Sequence, residues 1–431
     1  MREKEKLALD ILKALRRRGF QAYFVGGCVR DMVLRKSPAD YDIATDARPA
    51  RVKKIFKNTV SVGAAFNTVL VIKDNVPVEV STFRAGEKAK FSGDAKTDAL
   101  NRDFTINALL YDPAKKKYLD FAGGIEDIKN KIIRPPGSPA RCIAQDRLRA
   151  LRAIRFAANL GFSIEKNTIN EILKLKAGIL KVSKERIRNE LALILTGPNP
   201  YLGFRLMDEA GMLAHILPEV EAMKGVKQPE QYHPEGDVFT HTMLMLKELK
   251  NSGLILALSV LLHDVGKPPT FTRTDRIRFN GHDKMGARMA EVILKRLRFS
   301  NDEIRQVARC IDNHMRLMHS VKMREAKLKR LFLEPTFEAE LELHRIDCAA
   351  SHGDMTIYKF LKRKYTAFKK RPIKPRPILG GDELIKMGFA EGPIIGKIHR
   401  EMVDMQLERR LRSKKQAKAW VGKSYKRMLH P

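Results

Sequence analysis

The stretch Val25-Gly26-Gly27-Cys28-Val29-Arg30-Asp31, followed by Pro38-Ala39-Asp40-Tyr41-Asp42-Ile43-Ala44-Thr45, decides how the first part of this chain is read. Gln21 to Val25 is a short apolar strand, Gly26 and Gly27 make a turn, and Cys28 to Leu34 opens a helix. Strand, glycine turn and helix N-terminus together form a cradle for phosphate. In a strand over Tyr41 to Ala44, side chains alternate, so Asp40 and Asp42 share one face while Tyr41 and Ile43 point into a core. Two carboxylates held so close repel, and one tends to take up a proton unless a cation sits between them. Magnesium prefers oxygen ligands and commonly bridges a few carboxylates to phosphates.

Working outward, strands are expected at Thr68 to Lys73 and Val76 to Phe83, joined at the Asp74-Asn75 turn signal. The second of these offers a third acid, Glu79, between Val78 and Val80. A lone DxD most often marks an exposed strand end, and a lone GG a tight turn. Their succession, GG then DxD then a strand acid, is more specific and suits metal-assisted phosphoryl transfer. This unit reads as a small α/β head. A Pro/Gly-rich stretch from Arg134 to Ala140 closes it, and helical periodicity dominates from Ile143 onward. A second linker, Arg371 to Gly381, carries prolines at 372, 375 and 377.

Composition narrows the partners. The 431 residues hold 83 Lys plus Arg against 50 Asp plus Glu, a net charge of +33, which calls for a polyanion. Residues 351–431 alone carry 21 basic and 7 acidic side chains, a net +14. With 44% hydrophobic residues the chain is globular, and no apolar run is long enough to span a membrane. Cys28, Cys142, Cys310 and Cys348 form no CxxC pair, which fits a reducing cytoplasm and argues against a disulfide framework or zinc knuckle.

Two further constellations lie in the helical part. In Gln145-Asp146-Arg147-Leu148-Arg149-Ala150-Leu151-Arg152-Ala153-Ile154-Arg155-Phe156, Arg149, Arg152 and Arg155 share a helix face beside an apolar face of Leu148, Leu151 and Ile154. A basic stripe is usually only solvated. Asp146, one turn before Arg149, changes the weighing, because a carboxylate only accepts and a guanidinium only donates. Such a pair matches the exocyclic amine and ring acceptor of cytosine or adenine and rejects uracil and guanine. The other set is His241, His263-Asp264, His282, His314 and Asp347. A single core histidine usually satisfies one hydrogen bond, but a His-Asp pair ending the apolar run Ile255 to Leu262 puts two ligand-capable groups at the end of a buried helix.

Taken jointly, Val25 to Asp31, Asp40-Tyr41-Asp42, Glu79-Val80-Ser81-Thr82-Phe83-Arg84 and Arg102-Asp103-Phe104-Thr105-Ile106-Asn107-Ala108 resemble the head of class II tRNA nucleotidyltransferases, the family of CCA-adding enzymes and bacterial poly(A) polymerases. Gln145 to Arg149 resembles that family's EDxxR motif, and Ser183-Lys184-Glu185-Arg186-Ile187 its ERI motif, which braces neck helices. His233-Pro234-Glu235-Gly236-Asp237 through Asp347 resembles an HD phosphohydrolase domain, and Pro377 to Leu384 with Gly388 to Ile398 resemble the C-terminal segment of HD-containing relatives.

The resemblance implies an α+β fold: a head over 1–138 with a mixed sheet, a helical neck over 139–215, an HD domain over 216–355 and a basic tRNA-binding tail over 356–431. It implies Mg2+ at Asp40 and Asp42, and activation of the RNA 3′-hydroxyl by Glu79. Nucleotide contacts would come from Gly26, Gly27, Arg30, Arg102, Asp103, Asn107, Asp146, Arg149, Arg152 and Arg155. A second divalent metal would sit at His241, His263, Asp264 and Asp347, and the partners would be tRNA, CTP and ATP.

Three departures bear on which nucleotides are added. Gln145 stands where Glu is usual, Asn101 where a second Arg is usual, and Ala85 to Asn101 is only 17 residues, as in relatives that add CC alone. The readings left open are CC-only or A-only addition, poly(A) synthesis, and an HD phosphohydrolase with an RNA-binding head.

Overall fold

The computed structural model describes residues 3–62, 68–85, 90–91, 93–370 and 376–426. Parts of two segments singled out above, 86–89 and 92 in the short stretch after Arg84 and 371–375 in the linker, lie outside the described residues, as does Arg427. The chain separates into two compact units, residues 1–221 with 249–252, and residues 222–248 with 253–431.

The first unit begins with α1 (Glu3–Arg16), whose Leu7, Ile11, Leu12 and Leu15 are buried. Strand β1 (Ala22–Val25) runs through the Gly26 turn into α2 (Gly27–Val33), followed by β2 (Asp42–Thr45), β3 (Thr59–Val62), β4 (Thr68–Lys73) and β5 (Val76–Thr82). Two short strands, β6 (Leu110–Asp112) and β7 (Lys117–Leu119), complete a seven-stranded sheet in the order β3-β4-β5-β2-β1-β6-β7. All neighbours are antiparallel except β2 and β5, so the sheet is mixed, as expected for the head. Asp74 and Asn75 both take positive φ, 50° and 61°, the conformation that lets a two-residue turn close β4 onto β5.

One strand boundary differs from the reading of the sequence. Tyr41 and Ile43 are buried at 5% and 0% exposure, but β2 starts at Asp42, and Asp40 lies before it. Asp42 pairs with Val25, the last residue of β1, and at Gly26 the chain turns away. With no partner on that side, the ladder stops. Asp40 is left largely exposed, ion-paired to Lys4 of α1, rather than held on the strand face beside Asp42.

The rest of this unit is mainly helical. In α3 (Leu148–Leu160), Leu148, Leu151 and Ile154 face the core, and the helix ends where Gly161 takes φ 70°. Alongside it runs α4 (Lys184–Leu195), held by buried Ile187, Leu191 and Ile194.

In the second unit, α5 (Val238–Glu248), α6 (Leu254–Leu262), α7 (His282–Arg296), α8 (Asn301–Asn313) and α9 (Phe337–Ala350) pack around one another. As expected, α6 is buried, from Ala257 to its end, and delivers His263 and Asp264, each 1% exposed, there. Residues 379–425 form a separate apolar cluster around Leu384, Ile398, Met402 and Val421, and Trp420 packs against it. Among the described residues, no helix is long and apolar enough to cross a membrane.

Gly266 fixes where α7 starts relative to that helix end. A Cβ at Gly266 would lie 2.2 Å from the carbonyl oxygen of His282 and 2.5 Å from the nitrogen of Gly286. Backbone cannot yield as a side-chain tip can. Gly266→Ala is therefore expected to cost more than about 2 kcal/mol. Gly253→Ala, with nothing within 4 Å of the added methyl, serves as the control in thermal unfolding.

Candidate active site

The head and neck helices enclose a cleft of about 720 Å3. Of the residues expected to act on nucleotides, Gly26, Gly27, Arg30, Asp42, Arg102, Asp103, Asn107, Asp146, Arg149 and Arg152 line it. Asp40, Glu79 and Arg155 do not. Gly26 is required by the site as well as by the turn: its φ is 71°, and a Cβ there would sit 3.3 Å from Arg102 Nη1 and 3.9 Å from Asp42 Oδ2.

Asp42 lies opposite Glu79 in the parallel β2–β5 register. Burial, and after it the charge of Glu79, push the Asp42 carboxyl up to about 6 against the opposing charge of Arg102. Glu79 itself is exposed between buried Val78 and Val80. A carboxylate this reluctant to ionise, beside a second acid in register, is the environment that a hard divalent cation relieves, and both donors are oxygens.

The remaining lining is dominated by guanidiniums. Arg30, Arg84, Arg102, Arg149, Arg152 and Arg186 face four carboxylates, Asp42, Asp98, Asp103 and Asp146, an excess that favours an anionic occupant. Arg102 is held at both Nε and Nη2 by Asp98 Oδ2, at 3.1 and 2.9 Å, and Asp98 also accepts the Arg84 N–H at 3.0 Å. Burial and the charge of Arg102 depress the pKa of the Arg84 guanidinium, so a neighbouring anion would relieve it. Arg30 donates to Asn107 Oδ1 at 3.0 Å and to Asp31.

Asp103 is tied into the protein on the cleft wall. It accepts two bonds from Arg152, one of them 2.9 Å from Nε, and another from Asn107 at 3.2 Å. Burial would raise its carboxyl, but the Arg152 charge and the hydrogen bonds from Arg152, Asn107 and the Phe104 backbone together outweigh that and hold it below the usual range. Arg155 and Arg152 converge on Glu190 of α4, at 2.5 and 3.5 Å. The guanidiniums of Arg155, Arg152 and Arg30 lie 4.0, 5.5 and 5.6 Å from the Phe156 ring centre. Asp146 accepts from Leu148 N at 3.1 Å and from Arg186 at 2.6 Å, while Arg149 donates to Gln145 Oε1 and to the Asn101 carbonyl.

Arg84, Asp98, Phe156, Arg186 and Glu190 had no place in the site inferred from sequence. Arg84, Phe156 and Arg186 fall inside stretches quoted above and could have been found there, whereas Asp98 and Glu190 fall outside them.

The histidine and aspartate set assembles in the second unit as two groups. Ligand-capable atoms of His241, His263 and Asp347 lie within 4.8 Å of one another, as do those of Asp264, His282 and His314. The four residues expected to hold one metal are thus divided, with Asp264 turned toward His282 and His314. His263 Nε2 and Asp264 Oδ2, 3.1 Å apart, join the groups, and Lys267 Nζ lies 2.6 Å from the same Asp264 oxygen. Burial lowers the pKa of the His241 imidazole, but the facing carboxylates of Asp347 and Glu235 outweigh it and raise it to about 9. Burial and the neighbouring His263 push His314 down to about 4. His241 Nε2, 3.1 Å from Asp347 Oδ1, and His263 Nε2 are buried nitrogens outside hydrogen-bonding geometry, which suits a metal-binding role.

Comparison with known proteins agrees with both regions. Residues 22–134 match the poly A polymerase head domain, 161–224 the probable RNA and SrmB-binding site of polymerase A, and 237–345 the HD domain. The CC-adding tRNA nucleotidyltransferase of Thermus thermophilus is 31% identical over 418 residues, covering 93% of this chain and 93% of that one. The CCA-adding enzyme of Bacillus velezensis is 36% identical over 262 residues, 59% of this chain, and the match spans 64% of that enzyme's length. The solved CCA-adding enzyme of Bacillus stearothermophilus in complex with CTP shares the fold, with a TM-score of 0.75, 24% identity and 99% of each chain covered. With sheet, cleft and full-length similarity in agreement, the chain belongs to the class II tRNA nucleotidyltransferase family of CCA-adding enzymes and bacterial poly(A) polymerases, and it carries an HD domain.

Proposed function

We propose that the chain transfers CMP and AMP from CTP and ATP to the 3′ end of tRNA without a nucleic-acid template. One observation carries this reading: a single cleft holds Asp42, an excess of guanidiniums, and the Asp146 and Arg149 side chains. The arginines suit the triphosphate. Arg30, Arg102 and Arg152 are each anchored by a carboxylate, so they present fixed donors rather than flexible ones. Asp146 accepting and Arg149 donating complement the edge shared by cytosine and adenine.

Asp42 and Glu79, with Asp40 at the exposed end, would hold Mg2+. When bound it would neutralise charge on the triphosphate and on the attacking oxygen. Glu79, opposite Asp42 in the strand register, would accept the hydrogen bond of the RNA 3′-hydroxyl, and pyrophosphate would leave as the new phosphodiester forms. The head, neck, HD and tail parts divide this work, with the basic tail gripping the body of the tRNA. His241, His263 and Asp347 would hold a divalent metal in the HD part, near Asp264.

A second reading, addition of CC alone, is favoured by one specific feature. The segment Ala85 to Asn101 has only 17 residues, and the full-length similarity to the Thermus thermophilus protein is to a CC-adding enzyme. Sizing the products of tRNA lacking its terminus, incubated with CTP, with ATP and with both, separates the readings. The proposal expects two additions with CTP and three with both. Two with both identifies a CC-adding enzyme, and a long homopolymer from ATP overturns tRNA-end repair.

A further inference from the structure

We propose that Arg186 is a specificity-determining positioning residue, aiming the Asp146 carboxylate at the incoming base. This rests on the reading above, in which Asp146 and Arg149 choose cytosine and adenine. Asp146 sits in the two-residue break between the helix Pro139–Gln145 and α3, with extended backbone, φ −145° and ψ 107°. No helical neighbour fixes its side chain there. Two bonds do so instead: Leu148 N donates to Oδ1 at 3.1 Å, and Arg186 Nη2 donates to Oδ2 at 2.6 Å. With one donor on each oxygen the carboxylate plane is fixed, and each oxygen keeps a lone pair for an exocyclic amine. With Leu148 N alone, the group can swing about Cβ–Cγ.

Arg186 is placed for this by its helix. It lies in the first turn of α4, and Glu190, one turn later, holds Arg152 and Arg155. One face of α4 thus supports the polar face of α3 at two levels. Arg149, the other half of the reading pair, is held separately by Gln145 and Asn101. Loss of Arg186 therefore misaligns the acceptor and leaves the donor in place.

The alternative is a surface ion pair that merely braces two helices. Arg186 and Asp146 side chains are 46% and 30% exposed, and exposed pairs contribute little to stability. A bracing role alone thus predicts almost no effect of its loss, whereas a positioning role predicts a change in base choice.

The test measures kcat/KM for CTP and for UTP on tRNA lacking its terminus, in wild type, Arg186→Ala, Arg186→Lys and Asp146→Ala. The expected result is a CTP preference reduced about tenfold or more in Arg186→Ala, with most of it restored by lysine. The midpoint of thermal unfolding should stay within about 2 °C of wild type. Unchanged preference in Arg186→Ala, alongside lost preference in Asp146→Ala, overturns the role of Arg186 and leaves base reading intact. Unchanged preference in Asp146→Ala overturns base reading itself, and this proposal with it.

Discussion

Replacing Asp42 by alanine is expected to lower nucleotide addition to tRNA by about a thousandfold or more, the loss of several kcal/mol of charge stabilisation at the reacting phosphate. The same residue makes an opposite prediction for stability. In the fold its carboxyl titrates near 6, above the ordinary carboxylate range, because burial and Glu79 disfavour the charge. The folded state therefore favours the neutral form. The resulting stability is present in acid and is lost as pH rises through about 6. Asp42→Asn removes that penalty, so without divalent cation it should unfold at a higher temperature than wild type at pH 8 and at about the same temperature at pH 4. Added Mg2+ should stabilise wild type at pH 8 and close the gap. Below pH 6 protons compete with the cation at Asp42, so the Mg2+ concentration for half-maximal activity should rise. Activity of Asp42→Ala near that of wild type would sink the assignment. A pH-independent gap between Asp42→Asn and wild type would sink the electrostatic account of it.

Features with a short period or a local turn were legible in the sequence. The Asp74-Asn75 turn, the alternation that buries Tyr41 and Ile43, and the apolar face of α3 each depend on neighbours within a few residues. Asp40 was misplaced because the end of β2 is set by where its partner β1 turns away at Gly26, a fact of pairing rather than of composition. The histidine set was readable as residue types. Its division into two groups was not, because that depends on how the end of α6 faces α7 and α8. The supports of the active cleft were the least readable. Arg186 lies 40 residues from Asp146, and Glu190 lies 35 from Arg155, so no local pattern joins them.

Glu190 carries the other large expected effect. It is 5% exposed and accepts from Arg155 Nε at 2.5 Å, with Arg152 Nη1 at 3.5 Å, while both guanidiniums crowd the Phe156 ring. Arg152 has a second partner in Asp103, but the ion pair to Glu190 is the one that offsets the burial of Arg155. Breaking a buried pair from one side leaves an uncompensated charge, which costs about 3–5 kcal/mol. Discounting for the partly exposed Arg152, Glu190→Ala should lower stability by roughly 3 kcal/mol and the unfolding midpoint by about 6–12 °C. Glu190→Gln keeps one acceptor oxygen and should fall between the two. A double substitution, Glu190→Ala with Arg155→Leu, removes the stranded charge and should recover part of the loss, because an apolar side chain fits among Phe156 and its neighbours without needing a partner. If the double variant is no more stable than Glu190→Ala, the cost arises from lost packing rather than from charge. If Glu190→Ala unfolds with wild type, Glu190 is not what holds the two arginines.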